Sequence, residues 1–98
     1  MLFSVSMFPI GSDESILEPV AEVVEEIDRA GLHYQVTAMD TVIEGEWEHV
    51  LPALRRAQQR LRQHHERVFM RIEVDDHSGA HDRMLQSVSD VEQQVRRD

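Results

Sequence analysis

The hydrophobic rhythm of this chain switches from a period of two to a helical period and back, twice, and that order leaves few folds open. In "LFSVSMF", Phe3, Val5 and Met7 share one face while Ser4 and Ser6 share the other, as in a half-buried strand. Pro9 and Gly11 end it. Val20, Val23, Val24, Ile27 and Ala30 then recur at helical spacing. Ser15 and Glu18 fit a capping box before them, and Gly31 stands where a helix end needs a left-handed residue. The spacing predicts a helix over 16–30. Leu32, Tyr34, Val36 and Ala38 alternate with His33, Gln35 and Thr37 as a second strand, and "TVIEG" follows as a third. Only Met39-Asp40 separates them, so they are expected to pair antiparallel.

A second helix begins near Glu46, with Trp47, Val50, Leu51, Leu54, Ala57 and Leu61 as its apolar stripe. Pro52 belongs in its first turns, and Arg55, Arg56, Arg60 and Arg62 make the opposite face basic. "RVFMRIEVDD" reads as a fourth strand, with Val68, Met70, Ile72 and Val74 expected to face the core. "DDHSGAHD" is a loop. Met84, Leu85, Val88, Val91 and Val95 then predict a third helix over about 82–96. The order is βαββαβ plus a helix. With right-handed crossovers it gives an α+β, ferredoxin-like fold: a four-stranded antiparallel sheet, two helices on one face, first and third strands central. Residues 1–98 amount to a single domain.

That arrangement leaves one sheet face bare. It presents Ser4, Ser6, Phe8, Phe69, Arg71 and Glu73, two phenylalanines among them. A second copy pressed sheet to sheet, or the third helix folded across, is the expected cover, and a dimer is the expectation. Facing sheets also create a crevice for a small ligand.

Ten basic and nineteen acidic side chains give a formal charge of −9. Such a field repels nucleic acid and anionic membrane surfaces and suits a small cation or a neutral partner. The absence of cysteine excludes disulfides, thiolate metal sites and a cysteine nucleophile, and fits a cytoplasmic protein. "MLFSVSMFPIG" has no basic n-region and does not read as a signal peptide. No apolar run approaches the roughly 18 residues of a membrane span.

Catalytic signals are thin. There is no nucleophile elbow and no phosphate-cradling glycine loop, so no catalytic residue and no enzyme activity are expected. "PIGS" has one glycine and could offer amides to an anion. His77 and His81 stand four apart near Asp75, Asp76 and Asp82, but Ser78-Gly79 breaks any helix between them, and no metal site is expected. The stretch "TVIEGEWEHVL" carries more. Glu46 and Glu48 suit a first helical turn. Glu44 closes a covered strand and needs a donor, either a neighbouring side chain or amide, or a ligand. Trp47 either fills the core or offers its face to a ring or cation. Ser6 and Thr41 are either ligand hydrogen-bonding groups or plain strand surface.

"YQVTAMDTVIEGEWEHVL", the opening strand ending "FPIG", and "RVFMRIEVDD" together resemble the small thiamine-binding proteins of the YkoF-like group, long called a family of unknown function. The likeness spans nearly the whole chain in order, and "TVIEGEW" is its most specific part. "PIG" stands where the family usually has Pro-Leu-Gly, and Asp40 where a glycine often precedes Thr-Val. The resemblance implies a ferredoxin-like fold, sheet-to-sheet dimers that can pair into tetramers, no enzyme activity and no cofactor. It implies binding of thiamine or its hydroxymethylpyrimidine part. In such a ligand Glu44 could accept the ring amino group and Thr41 could read ring nitrogens, with Ser6 joining them by strand parity. Trp47 or Met39 could stack on or wall the ring. The alternative is a regulatory or interaction module that binds another small molecule or a protein, since the fold alone does not separate the two.

Overall fold

The described residues of the computed structural model are 1–11, 15–79 and 83–96. They form β1 (Leu2–Pro9), α1 (Leu17–Arg29), β2 (His33–Val36), β3 (Thr41–Glu44), α2 (Trp47–Arg62), β4 (Val68–Asp75) and α3 (Arg83–Arg96). The sheet order is β2-β3-β1-β4, antiparallel throughout. The ferredoxin-like expectation holds, with β1 and β3 central. Phe3 faces Ile43 across one ladder and Val74 across the other.

Alternation builds the core. Phe3, Val5, Met7 and Ile43 point to the helix side and meet Val23, Ile27, Val50, Leu54, Ala57 and Leu61. Burying each large side chain stabilises the fold by about 1.5–3 kcal/mol. α1 and α2 lie side by side on this face. Arg60 of α2 ties them through Glu25 at 2.8 Å and Glu26 at 3.4 Å, with Glu22 at 3.9 Å. The basic face of α2 is therefore matched by the acidic flank of α1.

Several local expectations change. Gly31 has φ +72° and ends α1 as expected. Ser15 accepts the Leu17 amide at 3.2 Å instead of completing a box with Glu18. Pro52 lies in the second turn of α2, inside the helix. Met70, Ile72 and Val74 are on the helix side by register, yet all are exposed. β4 is an edge strand, and the two helices do not reach across it. Gly45 lies close against the core: a Cβ there would stand 3.0 Å from Val50 Cγ2, so that side chain would have to give by a few tenths of an ångström, and 3.5 Å from Leu32 Cδ2, an ordinary contact.

The opposite face is open. Phe8 and Phe69 meet there at an interplanar angle of 40°, ring centroids 5.5 Å apart, beside the Arg71–Glu73 ion pair. α3 does not fold across this face. It meets the body chiefly at β3 and has no buried residue among those described.

Candidate functional site

The register of β1 creates a cavity. β3 stops at Thr41, opposite Val5, while β1 continues to Pro9 beside β4. The Gly45 amide donates to the Met1 carbonyl, and the Ile10 amide to that of Arg67. Odd residues of β1 therefore address β3 and even ones address β4. Where β3 ends, the Met7 N–H and C=O face the gap, and no backbone group among the described residues bonds them. The gap opens into a pocket of about 410 Å³ between β1, the start of α1 and the β2–β3 turn. Val5, Val20, Val23 and Val36 give it apolar walls, and Ser6, Thr37, Asp40 and Thr41 supply polar groups.

The β2–β3 turn is self-supported, which lets an unusual dipeptide close it. The Thr37 amide donates to the Asp40 carbonyl at 2.8 Å. The Thr37 hydroxyl donates to Asp40 Oδ1 at 2.8 Å and accepts the Met39 and Asp40 amides, each at 3.1 Å. The Ser4 hydroxyl bonds the other oxygen of Asp40, so β1 holds the turn from beneath. The Ser6 hydroxyl donates to the Met39 carbonyl at 3.3 Å. A hydroxyl at 37 and a carboxylate at 40 replace the Asn-Gly chemistry expected of a tight hairpin.

The pocket gathers three of the five residues singled out from sequence: Ser6, Met39 and Thr41. Thr41 is only 5% exposed, and Met39 projects outward. Asp40 and the bare Met7 edge were not among them. The missed signal in the sequence was the short third strand against a long first one.

Glu44 and Trp47 lie at the far end of β3. Glu44 takes the backbone amides of Arg83 at 2.9 Å and Met84 at 3.1 Å, one on each carboxylate oxygen. It thus caps the start of α3. Burial pushes its carboxyl up, but the two amide hydrogens outweigh this and hold it below the ordinary carboxylate range. Arg83 also bonds Asp75 and draws that carboxyl down. Trp47 meets Phe3 edge to face, centroids 5.3 Å apart, so its ring packs over the core end. Glu46 stands at the N-cap position of α2 without a side-chain capping bond, and Glu48 lies in the first turn. Among the described residues no three His, Asp or Glu side chains gather as metal ligands; His81 and Asp82 lie outside the described residues. No described helix is long and apolar enough to cross a membrane.

Comparison with known proteins places this geometry in context. The profile of the thiamine-binding protein family matches residues 3–92. The chain is 36% identical over 98 residues to the UPF0045 proteins of Mycobacterium bovis and Mycobacterium tuberculosis, covering 99% of this chain and 96% of theirs. Among solved structures, it superposes on a hypothetical protein of Methanocaldococcus jannaschii with a TM-score of 0.84 at 22% identity, covering 92% of this chain and 93% of that one. A Thermotoga maritima protein named for thiamine biosynthesis/salvage gives a TM-score of 0.76 at 22% identity, covering 90% and 96%.

Proposed function

The chain belongs to the thiamine-binding protein family, and from that premise we propose that it binds thiamine, or its hydroxymethylpyrimidine part, without transforming it. The observation that carries this reading is the pocket of about 410 Å³ beside the part of β1 that has no β3 partner among the described residues. Its size is that of a small-molecule site, about 300–1,000 Å³, and its mix of apolar walls with a few convergent polar groups fits such a role. An aminopyrimidine presents donors and acceptors along one edge. Met7 N–H and C=O stand side by side as their complements, where the next β3 residue would have paired. Ser6 and Thr41 supply further hydrogen-bonding groups, and Met39 stands exposed at the rim as a flexible apolar side chain. The Thermotoga neighbour's name points to the same vitamin. Glu44 and Trp47 enter this reading as supports, since one holds α3 and the other packs on Phe3.

The reading includes self-association. A second copy would cover the Phe8–Phe69 face and complete the burial that one chain lacks. Within this reading the protein serves salvage, transport or sensing of its ligand and does not transform it.

Thermal unfolding with added thiamine tests the binding. A ligand at a hundredfold excess over Kd stabilises by about 2.7 kcal/mol. In a domain of this size that raises Tm by about 10 °C or more. A melting curve unmoved by millimolar thiamine rejects the reading.

A further inference from the structure

We propose that Asp40 sets the charge selectivity of this pocket, so that it takes the unphosphorylated, cationic ligand and refuses its phosphate esters. The inference rests on the pocket assignment above and goes on to name the ligand's charge state. Among the described residues lining the cavity, Asp40 is the one ionisable side chain. It is held from two sides, by the Thr37 hydroxyl at 2.8 Å and by the Ser4 hydroxyl. Its position is therefore fixed before any ligand arrives, and preorganised charge discriminates most.

Two features could favour an anion instead. The start of α1 lines the pocket and carries about half a positive charge. Its Leu17 amide, however, is already taken by the Ser15 hydroxyl, and Glu18 occupies its first turn. Arg71 stands opposite Ser6 on β4, but its guanidinium pairs with Glu73 at 3.1 Å and is absent from the lining. A full negative charge at Asp40 outweighs a compensated half charge at the helix end. A ligand that brings a thiazolium cation or an exocyclic amine gains a charge-assisted contact with Asp40. A phosphate ester brings about −1.5 to −2 charges at neutral pH into the same space and is repelled.

Titration calorimetry of the full chain with thiamine and thiamine monophosphate separates the possibilities. Wild type should bind thiamine about tenfold or more tightly than the monophosphate. D40N should weaken thiamine about tenfold and bring the two ligands within about threefold of each other. In the wild type, the preference should also shrink as salt rises, a readout that needs no variant to fold. An unchanged preference in folded D40N, or in high salt, overturns the role of Asp40 while leaving thiamine binding in place. Tighter binding of the monophosphate, lost in R71Q, assigns the selectivity to Arg71 and overturns it too. Failure of wild type to bind thiamine removes the pocket assignment and this inference with it.

Discussion

Glu44 shows how one carboxylate can look like a ligand acceptor in sequence and act as a clamp in the fold. Its strand position demanded a donor, and two amides at the head of α3 supply it. Glu44→Ala leaves both amides without that acceptor and should cost about 0.5–2 kcal/mol, the range for a lost helix cap. Amide exchange at Arg83 and Met84 should accelerate sharply, and unchanged protection there would show that the clamp does not hold the turn. Glu44→Gln keeps one acceptor oxygen and should lose less. The pH dependence has a definite sign. Glu44 and Asp75 both titrate below their ordinary values in the folded chain. Their contribution is therefore fully present above the unfolded carboxylate values, about 4.3 and 3.9, and is lost as pH falls through the lower folded ones. Anchoring of α3 should be constant from neutral pH down to about 5 and fail below about 4. Carboxyl-carbon NMR of Glu44 tracked against exchange at Met84 checks this, and a loss that begins near pH 6 points to another group.

At the scale of elements, the strand and helix order was legible because each segment keeps one hydrophobic period from end to end. β1 is the clearest case: every second residue from Phe3 to Pro9 is buried. The third helix was legible as a helix, since its apolar residues repeat, but its docking was not, because periodicity says nothing about what a stripe meets. The pocket was legible only in part. Ser6 follows from strand parity and Thr41 from the family-like run, whereas the gap beside them arises from unequal strand lengths, and boundaries carry little periodic signal. Gly45 marks the same limit. It stands between strand and helix, and no sequence pattern shows that the fold leaves little room there beside Val50, which is fully buried and β-branched. Gly45→Ala should destabilise by about 1–3 kcal/mol through overpacking against a side chain with little rotamer freedom. The penalty should shrink when Val50→Ala makes space. Denaturant unfolding of both single variants and the double reads this coupling directly, and strictly additive losses would remove the steric account.

For the whole molecule, the anomaly is how little of it α3 uses. The chain spans 48 × 32 × 20 Å with a radius of gyration of 15.0 Å, against about 12.6 Å for a compact domain of this length. Leu85, Val88, Val91 and Val95 line one side of α3 and all are exposed, Leu85 at 69%. A 14-residue helix is marginal in water without burial of its apolar face, and the Glu44 clamp fixes only its first turn. The same chain leaves Phe69 44% exposed on the open sheet face. Two apolar surfaces on one small, acidic protein are most simply covered by identical copies, since each copy then satisfies both. Sedimentation velocity across the micromolar range should accordingly give at least twice the subunit mass. Phe69→Asp and Val91→Asp separate the two contacts. If the sheets pair first, Phe69→Asp yields subunits alone, while Val91→Asp still yields dimers and removes only larger species. If α3 makes the primary contact, the order reverses, and helicity lost on dilution should be confined to α3. A wild-type protein that sediments as single subunits with α3 fully protected from exchange would mean that the stripe is stable bare, and the case for a second copy would fail on its own physical ground.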